Sequence, residues 1–111
     1  MANPIHINGI PEGSQVSNYL YPDLDLAERH QDLITIVLPT GYSIYVGWFP
    51  EYDKNGEYWI RASWENGEIN PIKVRSISEV QQCVSLLADY YSQSNVARSG
   101  STSVHADFAL N

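Results

Sequence analysis

The sequence lacks several features on which whole classes of protein depend. Cys83 is its single cysteine, so the chain cannot form an internal disulfide, as is typical of a reducing compartment. No stretch approaches the roughly 20 apolar residues that a membrane-spanning helix needs. The first residues also lack the basic start and apolar run of a secretory signal. We therefore expect a cytoplasmic protein that makes no membrane contact.

Positive charge is also scarce. The chain has 6 lysines and arginines against 13 acidic residues, a formal net charge of −7, and its cations are spread along the sequence. A chain of this charge repels a phosphate backbone unless its cations gather on one face, so nucleic-acid binding is disfavoured. A basic protein partner is favoured instead, although acidity also serves simple solubility.

The motifs of common catalytic and cofactor sites are missing as well. Neither the cysteine and histidine spacings of zinc sites nor a glycine-rich phosphate loop occurs in the sequence. Cys83 lies within a predicted helix, where a buried and inert thiol is expected. Glu65 and Glu68 could form a carboxylate pair, but hairpin ends are solvated, which is weak support for acid–base catalysis. We predict no catalytic residue, metal or cofactor.

An alternation of polar residues around position 53 invites a calcium-binding interpretation. Asp53, Asn55 and Glu57 alternate, with Glu51 just before them. An EF-hand loop needs glycine at its sixth position and glutamate at its twelfth, whereas Gly56 is fourth counted from Asp53. We therefore expect a solvated hairpin loop here.

Strand signals begin after residue 32. Four segments rich in β-branched or alternating apolar residues follow one another, at 33–38, 42–49, 58–65 and 68–75. Asn66-Gly67 between the last two is typical of a tight hairpin turn. The pattern predicts an antiparallel meander of four strands.

The last predicted hairpin has a difficulty of register. A tight turn at Asn66-Gly67 would place Glu65 opposite Glu68, which is a like-charge pair, and would turn Lys73 toward the core. A shift of one residue removes both problems. We therefore predict a bulge near Asn70-Pro71, which also makes this strand an edge guarded by Pro71, Lys73 and Arg75.

The clearest element is a helix after residue 76. Ser76 and Glu79 form a capping-box pattern at its start. Apolar residues then recur at helical spacing, at Val80, Val84, Leu87 and Tyr91. This single stripe predicts a helix that covers one face of the sheet. The expected fold is α+β: four strands, then one C-terminal helix, in a domain at 32–92 between an irregular N-terminal arm at 1–31 and a serine-rich tail at 93–111.

Alternation in the second and third predicted strands divides their side chains between two faces. The even-numbered face is the predicted core, with Ile44, Val46, Trp48, Ile60, Ala62 and Trp64. The odd-numbered face carries Tyr45, Phe49, Trp59 and Arg61. Either the arm or tail packs over this second face, or it is an exposed patch of the composition that dominates protein–protein hot spots. An RNA-binding sheet also carries aromatics, but its basic consensus is missing here.

The segment from about Leu33 to Tyr91, with four strand signals followed by a helix, resembles small bacterial α+β proteins of unassigned function. Its architecture is also similar to that of immunity proteins that neutralise toxins in bacterial competition. Those proteins are commonly short, acidic, cytoplasmic and tryptophan-bearing. The resemblance implies an inhibitor that binds a toxin domain through acidic and aromatic contacts, here Tyr45, Glu51, Asp53, Trp59, Glu65 and Glu68.

These observations predict a non-catalytic protein-binding module, specifically an acidic inhibitor of the immunity type with a basic toxin domain as its partner. The predicted partner-binding residues are Tyr45, Phe49, Glu51, Asp53, Trp59, Arg61, Glu65 and Glu68. One alternative is a structural protein that self-associates, for example as a homodimer. Another is an enzyme whose site the sequence does not reveal.

Overall fold

The fold, taken from a computed structural model that describes residues 3–65 and 67–93, is α+β, as the sequence predicts. One antiparallel sheet is followed by one C-terminal helix. The strands are β1 (Gln15–Asn18), β2 (Ile34–Val37), β3 (Ser43–Phe49), β4 (Glu57–Trp64), β5 (Gly67–Glu68) and β6 (Ile72–Val74), and the helix is α1 (Ile77–Tyr91). The described part of the chain contains no helix of the length and apolarity needed to span a membrane.

The predicted count of four strands is wrong, because the described residues form a sheet of six strands. The predicted fourth strand is divided into β5 and β6, which both pair with β4. The N-terminal arm supplies the other strand, since β1 pairs with β2 from Gln15 opposite Val37 to Asn18 opposite Ile34. The arm is therefore not wholly irregular, and it forms one edge of the sheet.

Residues 5–8 and Leu20 of the arm lie along the helix side of the sheet. Ile5 and Leu20 are buried and joined by a hydrogen bond of 2.8 Å from the Ile5 amide to the Leu20 carbonyl. Two side chains of α1 form hydrogen bonds with the backbone of the arm. Gln81 donates to the carbonyl of residue 6, and Ser85 donates to the carbonyl of Asn8, both at 2.8 Å. This part of the arm belongs to the core and does not lie over the odd-numbered face.

The predicted bulge is confirmed by the register of the last strands. Glu68 lies opposite Ser63 and Ile72 lies opposite Ile60. Ile60 and Ser63 are three residues apart on β4, whereas Glu68 and Ile72 are four residues apart on the segment that pairs with it. One extra residue therefore lies between Glu68 and Ile72, where Asn70 and Pro71 were expected to supply it.

The predicted turn at Asn66-Gly67 is wrong. Gly67 is paired with Trp64 and belongs to β5. A side chain at Gly67 would begin 3.3 Å from the Trp64 ring, so this glycine lets the strand pass close to the indole. Because Glu68 then lies opposite Ser63, the expected pairing of Glu68 with Glu65 does not occur.

Helix α1 begins with the predicted capping box. The Glu79 amide donates to Ser76 Oγ at 3.1 Å, and the Ser76 amide donates to Glu79 Oε1 at 3.1 Å. These bonds hold the pKa of the Glu79 carboxyl below its usual value, first through the Ser76 hydroxyl and then through the amides of Arg75 and Ser76. The predicted apolar stripe of Val80, Val84, Leu87 and Tyr91 is fully buried.

The core lies between α1 and the even-numbered face of the sheet. Five of the six predicted core positions on β3 and β4 are buried, and Trp64 is partly buried against them. Of the predicted tail at 93–111, only Gln93 lies within the described residues.

One backbone segment reaches the odd-numbered face from the arm. Leu33 donates to the Val46 carbonyl at 2.9 Å, and Trp48 donates to the His30 carbonyl at 2.9 Å. Between these two contacts the chain passes directly over Gly47, where an added Cβ would overlap the Gln31 carbonyl. Gly47 is thus required by the close approach of two backbones.

Candidate functional site

The odd-numbered face of the sheet gathers aromatic rings and cations into one surface, which we call the open face. It consists of Tyr45 and Phe49 on β3, Trp59 and Arg61 on β4, and Lys73 on β6. The strand register brings them together, since Tyr45 lies opposite Arg61 and Trp59 lies opposite Lys73. Lys73 is exposed, while the other four are half-buried.

The rings and cations of the open face are in direct contact. The centroids of Phe49 and Trp59 lie 4.8 Å apart with their planes tilted by 37°. Arg61 Cζ lies 5.8 Å from the Tyr45 ring centroid and 5.9 Å from that of Phe49. Lys73 Nζ lies 4.6 Å from the centroid of Trp59. All three distances from cation to ring are within the range of a cation–π attraction.

Within the described residues, the two cations of the open face lie over rings and not against carboxylates. This is unusual in a chain that has 13 acidic residues and 6 basic ones. The arrangement leaves the hydrogen-bonding capacity of a guanidinium and an ammonium group free for another molecule.

Trp59 contributes an unsatisfied donor. Its Nε1 atom is shielded from solvent and has no acceptor among the residues that the structure describes. An indole N–H in this state costs free energy until it meets an oxygen. By contrast, the indole of Trp48 in the core donates to the Asp53 carbonyl at 2.8 Å.

The predicted acidic contacts do not lie among the rings. Glu51 and Asp53 are in the connection between β3 and β4, where Glu51 Oε2 accepts from the Gln31 amide at 3.1 Å. Glu65 follows the other end of β4, and Glu68 lies opposite Ser63 near that same end. Since β4 has eight residues, the two pairs are separated by roughly 25 Å. The structure thus unites the four predicted residues Tyr45, Phe49, Trp59 and Arg61 and divides the acids between the two ends of the face.

The β3–β4 connection, whose polar residues alternate as in a calcium loop, uses these groups in local hydrogen bonds. Asp53 Oδ1 accepts from the Asn55 amide at 2.8 Å, and its carbonyl accepts from the Trp48 indole. Residues 3–65 and 67–93 hold no group of three or more acidic, histidine or cysteine side chains placed to bind a metal ion.

Cys83 is half-buried beside the core. Burial raises the pKa of its thiol to about 11. The reactive thiolate is therefore scarce at neutral pH.

Sequence reasoning missed Lys73 as a member of this surface and treated it only as a guard of the sheet edge. The signal was present, because the one-residue shift that turns Ile72 and Val74 inward also places Lys73 beside Trp59. Arg29 was missed too. Its guanidinium lies 4.7 Å from the ring centroid of Trp48 and donates to the Leu24 carbonyl, so it supports the core side.

Comparison with protein-family models, with curated proteins and with solved structures finds no match to this chain.

Proposed function

We propose that this protein is a non-catalytic binding module that contacts a protein partner through the open face. The observation that carries the proposal is the cluster of three half-buried rings with Arg61 and Lys73 lying over them. Aromatic residues and arginine supply most of the binding energy at protein interfaces. Rings held in place by the strands also lose little conformational freedom on binding.

The distribution of charge indicates the kind of partner. Arg61 and Lys73, free of carboxylates in the described structure, fit an acidic group at the centre of a contact. Glu51 and Asp53 at one end of the face, and Glu65 and Glu68 at the other, fit basic groups around that centre. The net negative charge of the chain then increases the rate of encounter with a basic protein.

An inhibitor of the immunity type is the specific form of this proposal. Its partner would be a basic toxin domain, whose positive charge is drawn to the acidic ends of the face while the rings cover part of its surface. The acidity of the chain and the aromatic centre of the face support this choice.

The proposal is tested by affinity capture from a lysate of the native cell with three versions of the full chain. Arg61→Glu removes a cation from the open face, and Lys54→Glu makes the same charge change in the exposed β3–β4 connection. We expect the wild type and Lys54→Glu to retain the same protein in near-equimolar amounts and Arg61→Glu to lose it. An inhibition assay on that protein then tests the immunity form.

Equal capture by all three versions would contradict the proposal, as would a wild type that retains no protein. If the partner is captured as proposed but keeps its activity when bound, only the inhibitor form fails.

A further inference from the structure

The two edges of the sheet differ in how well they are protected from pairing with another strand. The β5–β6 edge has an extra residue in its middle and carries Pro71 and Lys73. The β1 edge has a regular register over four residues, and no charged residue occurs from Gly13 to Leu20. Natural edges are usually protected by a charge, a proline or a bulge. The β1 edge has none of these.

The unprotected part of β1 can be located from its hydrogen bonds. The Tyr19 amide donates to the Leu33 carbonyl at 2.8 Å, so odd-numbered residues of β1 face β2. The backbone groups of Val16 and Asn18 therefore point away from the sheet. One step further, the Leu20 carbonyl is already taken by the Ile5 amide. The Asn18 side chain also lies at this end of the edge, where it donates to the Ile5 carbonyl and accepts from the Leu20 amide. The backbone groups that remain open are thus those of Val16 and Asn18.

Apolar surface accompanies this open backbone. Val16 is 51% exposed and Tyr19 is 57% exposed, and these are two of the four large hydrophobic side chains most exposed among the described residues. They point to opposite faces of the sheet, and an added strand would lie beside both of them. Backbone pairing and apolar burial would then act together at one place.

The same stretch is complementary to itself. With a two-fold axis at Ser17, Val16 lies opposite Asn18 of the second copy, and each such pair exchanges two hydrogen bonds. All outward groups of Val16 and Asn18 are then satisfied, by four bonds in total. Gln15 lies opposite Tyr19 of the second copy, so that its exposed ring gains a neighbour.

The absence of charged residues from this edge allows a second copy to approach it. Two chains of net charge −7 repel each other through most of their surfaces, so an uncharged stripe is where they can meet at least cost. A basic partner would gain nothing from this stripe and would be drawn to the acidic ends of the open face. We propose that two copies of the chain join through β1, forming one continuous antiparallel sheet.

Such a dimer presents both open faces on the same side, because a two-fold axis perpendicular to a continuous sheet keeps each face on its own side. The two α1 helices lie together on the other side. The dimer itself does not depend on the proposed partner. If that partner exists, the dimer would hold two copies of it side by side.

The test is sedimentation equilibrium of the full chain over a wide range of concentration. Val16→Pro removes an outward amide donor and no bond to β2, a position at which proline is tolerated in an edge strand. Val16→Thr is the control, because it keeps the amide and the branched shape. We expect a reversible dimer for the wild type and for Val16→Thr. Val16→Pro should raise the dissociation constant at least about tenfold, since two of the four bonds are lost.

A second measurement covers the case in which Val16→Pro does not fold. Hydrogen exchange of the wild type should show that the amides of Val16 and Asn18 become protected as concentration rises, while other exposed amides do not change. The proposal is overturned if the wild type remains monomeric up to about 1 mM. It is also overturned if folded Val16→Pro dimerises like the wild type, or if the exchange of these two amides is independent of concentration.

Discussion

The two faces of this sheet contain similar rings but surround them differently. On the core face, Tyr42 stacks on Tyr91 with centroids 4.6 Å apart, Trp48 meets Tyr58 edge-on at 4.9 Å, and all four rings are buried. On the open face, the rings carry cations and remain half exposed. The period of two along β3 and β4 separates these sets, so one aromatic-rich segment supplies both a core and a candidate binding surface.

The largest effect is expected on the core side, at the helix. Leu87 is fully buried, so Leu87→Ala should lower the free energy of unfolding by about 2–5 kcal/mol through lost burial and a cavity. Chemical denaturation measures this. Leu86→Ala is the control, because Leu86 is its neighbour on α1 and is 64% exposed. A decrease of less than about 1 kcal/mol in the free energy of unfolding of Leu87→Ala would mean that α1 does not pack over the core face.

A smaller effect is expected where the arm crosses the open face. Gly47→Ala introduces a Cβ that overlaps the Gln31 carbonyl, and the backbone there must shift. We expect a loss of about 1–3 kcal/mol in stability, as for overpacking in a core. The control is Ser43→Ala, at the start of β3, the strand that contains Gly47. Gly41→Ala would not serve, because the φ of Gly41 is +94° and any side chain there is strained. A stable Gly47→Ala variant would show that residues 30–32 do not lie over β3.

Alkaline pH should weaken the core face in particular. Burial, with added repulsion from the charged forms of Tyr90 and Tyr42, raises the pKa of Tyr91 from its ordinary 10.0 to about 12. The neutral phenol is thus favoured by folding, and its contribution is complete below pH 10 and lost as pH rises toward 12. Tyr91→Phe cannot ionise, so its stability should decline less over this window. Parallel pH profiles for the two proteins would contradict this account.

The smallest stability effect is expected at Cys83. Cys83→Ala removes one half-buried sulfur and should cost about 1 kcal/mol or less. Thiol labelling of the native wild type should be slow at neutral pH, because the pKa of the thiol is raised to about 11. Rapid labelling would show that the thiol is reactive, which would favour an enzyme over a binding module.

Elements with strong local signals could be predicted from the sequence. The capping box of Ser76 and Glu79 and the alternation in β3 and β4 each specify a structure within a few residues. The bulge before Ile72 was predictable because the alternative exposed apolar side chains and paired like charges. The same alternation correctly placed four residues of the open face together.

Other features depend on contacts that are distant in sequence. Strand β1 is short and polar, and it forms because β2 lies beside it. The turn before Gly67 was misplaced because Gly67 pairs with Trp64 and lies close to its ring, a contact that the local Asn-Gly signal does not reveal. The distance between the predicted acidic residues and the rings depends on the length of the strands. The sequence therefore did not reveal that Glu51 and Asp53 lie at the opposite end of the face from the other two predicted acids, at positions 65 and 68.

The most direct test of the open face as a binding surface is Trp59→Ala, measured by a melting curve and by titration with the captured partner. Because Trp59 is only half-buried and loses its ring contacts with Phe49 and Lys73, the free protein should lose about 1–2 kcal/mol of stability. Binding should weaken by about 2 kcal/mol or more, roughly 30-fold, as for a central aromatic anchor. Leu86→Ala on the opposite side should bind like the wild type. A folded Trp59→Ala variant with undiminished affinity would contradict the account.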